Sequence, residues 1–310
     1  MAQQPLIAIT GPTASGKSGL AVEVARGLSE AGTPAEIISA DSMQLYRGMD
    51  IGTAKVTGAD QQGVPHHLLD VLDVTEEASA ADYQQQARAV IADIRRRGAV
   101  PILAGGSGLY VRAVLDVIEF PPTDPQVRAE MTALWEEQGA AEVRRQLREA
   151  DPESAAAIKD DRRLIRALEV VRLTGRSFSS YMPQRVHEPS VEPVLQLGLR
   201  TDRQLLHQRI AARVHHMAEQ GLLQEVTALE AAGLRRGVTA SRAIGYQQYL
   251  RVIDGEWAEQ TAVDDTIIAT RKFARRQDTW FRADPRITWL DAPSATLVDE
   301  AMEVIRPETG

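Results

Sequence analysis

The sequence predicts an α/β protein: a parallel sheet core flanked by helices, with an α-helical insertion domain. Three observations carry this. The apolar run "PLIAIT" opens directly onto the glycine-bearing turn "GPTASGKS". Short apolar runs then alternate with helical stretches, the pattern of a parallel sheet covered on both faces. From "EFPPTDP" (119–125) to about Pro193 the chain turns helical and Arg-rich between proline-containing segments.

In chain order, "PLIAIT" reads as a short buried strand, and Gly11 to Lys17 form the turn into a helix running to about Leu28. "AEIISAD" is a second strand, ending at Asp41. Residues 80–97 have helical spacing and stop at Gly98, a helix-terminating glycine. "AVPILAGGSGLY" is a third strand that breaks into glycines and restarts as a helix. After the insertion, "VLQLGLR" is a returning core strand, followed by helices to about Arg282. These signals divide the chain into a core of 1–120 and 194–310, with C-terminal helices, and an insertion of 121–193. In such sheets functional groups gather at the carboxyl ends of the strands. Gly11–Ser18, Asp41 and Ser107 all fall there, so one site is expected.

Composition narrows the function. At 310 residues and 44% hydrophobic content the chain can bury a full core. It has no cysteine, which excludes disulfides and cysteine-ligated zinc. The N-terminus "MAQQPLIAIT" lacks a basic region followed by a long apolar run, and no stretch approaches the roughly 18 apolar residues of a membrane span. A cytoplasmic monomer is expected, with no membrane partner. The net charge of −8 disfavours nucleic acid as a partner on average, but the charge is uneven. Between Arg271 and Arg286 six basic residues (Arg271, Lys272, Arg275, Arg276, Arg282, Arg286) face only Asp278 and Asp284.

Gly11-Pro12-Thr13-Ala14-Ser15-Gly16-Lys17-Ser18 fills the P-loop pattern in the strand–loop–helix context that the motif requires, which makes the core P-loop NTPase-like. Glycines let backbone N–H groups surround anionic oxygens, and the helix N-terminus adds partial positive charge. Lys17 supplies a full charge, and the Ser18 hydroxyl can ligate a magnesium ion bridging two phosphates. The loop specifies phosphates without specifying the molecule that carries them.

Asp41 ends the second strand beside that loop. Its position allows three roles: a carboxylate organising magnesium, a general base, or a turn aspartate capping the next few residues.

The blocks "GPTASGKS", "DSMQLYRGMDIGTAK", "VPHHLLDV", "PILAGGSGLY", "RALEVVRLTGR", "AIGYQQYL" and "ATRKFARRQDTWFR" occur in the order found in bacterial tRNA dimethylallyltransferases, the IPP transferase family. The chain resembles that family from Ile7 to about Leu290. Many enzymes share the P-loop; the Asp-Ser-x-Gln-x-Tyr and Arg-Gln-x-Thr-Trp-Phe-Arg blocks are far more specific. The resemblance implies transfer of a dimethylallyl group from dimethylallyl diphosphate to N6 of the adenosine 3′-adjacent to the tRNA anticodon, with Mg2+ assisting and diphosphate departing.

By resemblance, Asp41 accepts the N6 proton, and Ser42, Met43 and Gln44 line the pocket for the adenine and its neighbours. Ser107 stands where the family usually has threonine, and its hydroxyl can still hydrogen-bond the adenine amine or the diphosphate. Arg213 resembles a family arginine near the leaving group, with a structural arginine on an amphipathic helix as the other reading. Arg128, Arg162, Arg163 and Arg166 match family positions that meet tRNA, although interleaved acids make the same stretch read as a salt-bridged helical surface. Gly245, Tyr246 and Gln247 resemble another tRNA-contact block.

The chemistry agrees. The adenine amine is a poor nucleophile, so it needs a carboxylate to take its proton and strong stabilisation of the leaving group. The adenosine must also be extruded from its stack at a cost of a few kcal/mol, which contacts to flanking RNA must offset. On a helix with about 100° per residue, Arg271, Lys272, Arg275, Arg276 and Arg282 share an arc of about 140°, with Phe273, Trp280 and Phe281 opposite. This predicts an outward basic face for RNA, carried by Lys272, Arg275 and Arg276, with the aromatics packed in the core. The adjacent pairs His66–His67 and His215–His216 lack the spacing of two ligands on one helix face, and are read as structural. A small-metabolite P-loop kinase and a prenyltransferase acting on free adenine nucleotides are the alternatives.

Overall fold

The computed structural model describes residues 3–182 and 184–309. The apolar run after Pro5 forms β1 (Leu6–Thr10), buried along its whole length, as expected for a central parallel strand. The chain continues through α1 (Lys17–Glu30), β2 (Ala35–Ser39), the two-residue β3 (His66–His67), α2 (Ala80–Arg96), β4 (Val100–Gly105) and α3 (Gly108–Leu115). After the insertion come β5 (Val194–Arg200) and the helices α7 (Arg203–Glu219), α8 (Leu222–Ala231), α9 (Tyr246–Ile253) and α10 (Glu259–Arg282). β6 (Thr288–Asp291) and α11 (Leu297–Thr309) finish the chain.

The six strands form one parallel sheet in the order β3-β2-β4-β1-β5-β6. One face packs on α1 and α11 through Leu20, Val24, Leu28, Met302 and Ile305. The other packs on α2 and α3 through Tyr83, Ile91, Ile94, Val111 and Val114. A separate core around Tyr46, Val226, Tyr246 and Tyr249 holds the helices from α7 to α10 together. The expected α/β class and parallel sheet are borne out. β2 stops at Ser39, two residues before the expected end, because Asp41 closes a turn instead: the Met43 N–H donates to Asp41 Oδ1 at 3.0 Å.

Two compact units result. One runs to Leu115 and resumes at His187; the other is Asp116–Val186. The second unit holds α4 (Pro125–Ala150), broken at Gly139, with α5 (Pro152–Ala157) and α6 (Asp161–Thr174) around Leu147, Leu164 and Leu168. Its limits lie a few residues before those expected from composition. The Val117 N–H donates to the Val186 carbonyl inside this unit, and the Glu188 N–H donates to the Leu115 carbonyl inside the other, both at 2.9 Å.

Candidate active site

The loop from Gly11 to Ser18 leaves β1 at its carboxyl end and enters α1. Ala14 (φ 64°) and Gly16 (φ 97°) both take left-handed backbone, a conformation found in the concave backbone nests that bind anions. Lys17, Ser18, Gly16, Arg209 and Arg213 line a cavity of about 390 Å3 there. Burial brings the Lys17 ammonium down to about 8; the Asp41 carboxylate opposes that shift and the Arg213 guanidinium reinforces it. Burial also lowers Arg213, again opposed by Asp41. Two desolvated cations that share the influence of one carboxylate make a site short of negative charge, which an anionic ligand supplies.

A second cavity, about 310 Å3, adjoins the first at Arg213 and is lined by Asp41, Ser42, Met43 and Ser107. Its remaining wall is largely apolar, built from Ile210, Val214 and Met217 of α7 and Phe273 of α10. Ser107 precedes α3, and its Oγ accepts the Ser42 N–H at 3.5 Å, joining the ends of β4 and β2. Arg213 donates to Thr13 Oγ1 and to the Thr53 carbonyl, each at 3.4 Å. The structure therefore brings together Lys17, Ser18, Asp41, Ser42, Met43, Ser107 and Arg213. Arg276 lines the same second cavity.

Magnesium fits the donor set in its usual protein environment, one or two protein oxygens with phosphate and water completing the shell. The exposed Ser18 hydroxyl in the first turn of α1 is such a ligand. Among the described residues no group of three or more His, Asp or Glu side chains could form an all-protein cage.

Other expected residues serve different purposes. Gln44 accepts from the Ser39 hydroxyl at 3.0 Å and donates towards the Thr53 and Ala54 carbonyls, tying β2 to the following loop. Tyr246 is 0% exposed and its hydroxyl donates to Glu225 Oε1 at 2.6 Å, with its pKa held well above the usual range by burial and that carboxylate. Tyr246 lines the second cavity, and its hydroxyl supports the loop at 50–52, whose three N–H groups donate to the same Glu225 carboxylate. Gly245 begins α9 and lines the second cavity, and Gln247 lines a neighbouring groove.

In the second unit, Arg128 and Arg166 are committed to the fully buried Glu169, at 2.5 and 2.9 Å. Arg166 also donates to the Pro121 and Pro122 carbonyls. Glu169 thus engages two of the four arginines in ion pairs, as in the alternative of a salt-bridged helical surface. Arg162 and Arg163 are exposed.

On α10, Lys272, Arg275 and Arg276 are exposed and, among the described residues, form no ion pair. Arg282 is paired with Asp278 at 2.7 Å, and Arg271 donates to the His207 carbonyl. Trp280 departs from expectation. It is 42% exposed, stacked under Arg112 and seated on Gly108, where a Cβ would collide with the ring. The helix turns it past the sheet onto the start of α3 rather than into the core. His67 bonds Glu36 at 2.6 Å and His66 the Val64 carbonyl at 2.9 Å.

Two residues central to this geometry escaped the sequence reading. Glu225 fixes the loop at 50–52, and Gln277 bridges the phosphate loop and the loop before Ser107. The first gives no local pattern; the second lies inside the Arg-Gln-x-Thr-Trp-Phe-Arg block.

Comparison with known proteins is consistent with this site. The family profile described as IPP transferase matches residues 44–284. The tRNA dimethylallyltransferase of Paenarthrobacter aurescens is 58% identical over 302 residues, 97% of this chain and 96% of that protein. The crystal structure of the tRNA isopentenylpyrophosphate transferase from Bacillus halodurans superimposes with a TM-score of 0.71 at 37% identity, covering 99% of this chain and 97% of that one. A eukaryotic dimethylallyltransferase acting on tRNA superimposes with a TM-score of 0.80 at 26% identity, over 96% and 78% of the two chains. The phosphate loop, the Asp41 turn, the basic α10 and these matches along nearly the whole length give one conclusion: the chain belongs to the IPP transferase family.

Proposed function

We propose that this chain transfers a dimethylallyl group from dimethylallyl diphosphate to N6 of the adenosine 3′-adjacent to the anticodon in tRNA, releasing diphosphate. The observation that carries the reading is the paired cavity. A cationic cradle lined by Lys17 and Ser18 opens beside an apolar-walled space lined by Asp41 and Ser107, and Arg213 belongs to both. A kinase cradle has no need of an apolar wall at the acceptor side; a five-carbon chain does.

In this reading the N6 lone pair attacks the first carbon of the dimethylallyl group as its bond to the diphosphate oxygen breaks. Asp41 takes the N6 proton. Charge growing on the departing diphosphate meets the loop amides, Lys17 and Arg213, which need no reorganisation at that moment. Ser107 orients the amine or the near phosphate oxygen. Ser18 would hold Mg2+, which would supply charge neutralisation on the departing diphosphate. Ser42 and Met43 line the adenine pocket, with Gln44 and Tyr246 supporting it from behind.

Lys272, Arg275 and Arg276 bind phosphates flanking the extruded adenosine, and Arg162 and Arg163 of the second unit add further contacts. The enzyme acts as a monomer in the cytoplasm; among the described residues no helix is long and apolar enough to cross a membrane.

The test mixes the purified protein with labelled dimethylallyl diphosphate, magnesium and unmodified tRNA. Label entering the tRNA supports the reading. ATP consumption with a small acceptor and no labelled RNA would replace it with a kinase. Equal labelling of AMP and an anticodon stem-loop would remove the RNA requirement.

A further inference from the structure

α10 carries two different surfaces one residue apart. Arg275 and Arg276 are exposed, and Gln277, next in the chain, is only 6% exposed. The Gln277 amide uses both of its ends. Its Oε1 accepts the Thr13 N–H at 2.8 Å, and its Nε2 donates to the Gly106 carbonyl at 2.8 Å. Thr13 belongs to the phosphate loop and Gly106 directly precedes Ser107.

The fit at this point is tight. A Cβ on Gly106 would stand 2.5 Å from Gln277 Nε2 and 3.1 Å from the Gly11 carbonyl oxygen. Helix, phosphate loop and the loop before Ser107 thus meet with no slack. The side-chain amide offers a donor and an acceptor on one planar group. Glutamate in its charged form would set an acceptor against the Gly106 carbonyl, and an apolar chain would strand both buried backbone groups. The Thr13 amide is spent on Gln277, so this bond positions the loop rather than contacting a phosphate.

We propose that Gln277 is the positioning residue through which RNA on α10 and diphosphate in the loop are coupled. Phosphate contacts at Arg275 and Arg276 fix the helix, the helix fixes Gln277, and Gln277 sets the loop amide and the loop that presents Ser107. Each ligand therefore tightens the other by the same factor, as linkage requires. The inference rests on the reading of α10 as the RNA surface and of the loop as the diphosphate cradle.

The experiment measures binding, without turnover. Inorganic pyrophosphate with magnesium is titrated calorimetrically into the full chain, alone and saturated with an unmodified anticodon stem-loop RNA, and the reciprocal titration is made. Wild type is expected to bind each ligand more tightly in the presence of the other, by a common factor within the roughly 5–150-fold span of such couplings. In Gln277→Met each ligand alone keeps its affinity within about threefold while the common factor collapses towards one. Gly106→Ala, which displaces the same contact from the opposite side, is expected to do likewise, and serves if Gln277→Met fails to fold.

Coupling unchanged in a folded variant overturns the proposal, as does wild type that binds both ligands independently. A variant that loses both ligands singly would show a general structural role and also overturns it. Wild type that binds neither pyrophosphate nor RNA would instead sink the reading of the site, and this inference with it.

Discussion

The Met43 N–H donates to Asp41 Oδ1 at 3.0 Å, so the carboxylate lining the second cavity is already held by its own turn before any substrate arrives. This bond fixes the side chain without consuming both of its oxygens. The turn's need for an acceptor is thus separate from the base role proposed for Asp41.

Asp41→Asn keeps the acceptor and removes the base. Turnover is expected to fall by about a hundred- to ten-thousandfold, with RNA affinity within about threefold of wild type. Asp41→Ala should lose at least as much turnover, with RNA binding still mostly kept. Single-turnover rates and filter binding on the same samples check this; equal losses in both would remove Asp41 as the base.

Arg275→Ala combined with Arg276→Ala is expected to weaken tRNA binding and to flatten its salt dependence, the logarithmic slope falling by about 0.7–0.9 for each phosphate no longer neutralised. Affinities between low and moderate salt give the slope. An unaltered slope would take this face of α10 out of the RNA surface.

Lys17 gives a pH dependence. Its pKa of about 8 in the free protein means that the cradle loses its ammonium above that pH. Diphosphate affinity should be flat between about pH 7 and 8, above the last phosphate ionisation at about pH 6, and then fall by up to about tenfold per pH unit. Lys17→Met should bind weakly at every pH and show no such bend. The sign for stability is opposite. The native state sheds this proton before the unfolded state does, so the Lys17 contribution rises between pH 8 and the ordinary lysine value of 10.5.

Glu169 is the acid-sensitive point of the second unit. Burial pushes its carboxyl up, but hydrogen bonds from Arg166, Thr123, Arg128 and the Asp124 N–H outweigh this and hold it below its ordinary value. A lowered folded-state pKa stabilises above the unfolded value and is lost as pH falls through the folded one. Thermal melts of wild type should therefore lose stability on acidification below about pH 4.5. Glu169→Gln should start less stable at neutral pH and lose less on acidification. Parallel curves for the two proteins would contradict this role.

Glu225 and Tyr246 can be separated. Tyr246→Phe removes one hydrogen bond and is expected to cost about 1 kcal/mol by urea denaturation. Glu225→Ala strands three loop N–H groups and the Tyr246 hydroxyl together, for about 3 kcal/mol or more. A smaller loss in Glu225→Ala than in Tyr246→Phe would show that the loop at 50–52 does not depend on the carboxylate.

What the sequence disclosed, it disclosed through local rules. The phosphate loop was legible because left-handed backbone and inward amides demand fixed glycines after a strand. β5 and α10 were legible from apolar runs and helical spacing. Gln277 and Glu225 were not, since their partners lie 264 and about 175 residues away and an exposed glutamine or glutamate would look the same. β6 was missed because only Leu290 of its four residues is buried, which leaves little pattern for an edge strand. Trp280 was misplaced because helical periodicity gives a direction around the axis but not what lies there; α3 begins beneath the ring and leaves the side chain 42% exposed. Arg128 and Arg166 depended on Glu169 being buried, which composition alone does not reveal.

The paired closures at Leu115–Glu188 and Val117–Val186 have an evolutionary consequence. Each unit has its own two ends pinned by a backbone hydrogen bond, so the intervening stretch behaves as a cassette. A few residues joining Leu115 to Glu188 would seal the sheet-bearing body without disturbing Asp41 or Lys17, and a foreign module with neighbouring ends could be spliced in at the same seam. Lineages can thus exchange that cassette while inheriting the sheet-bearing body intact.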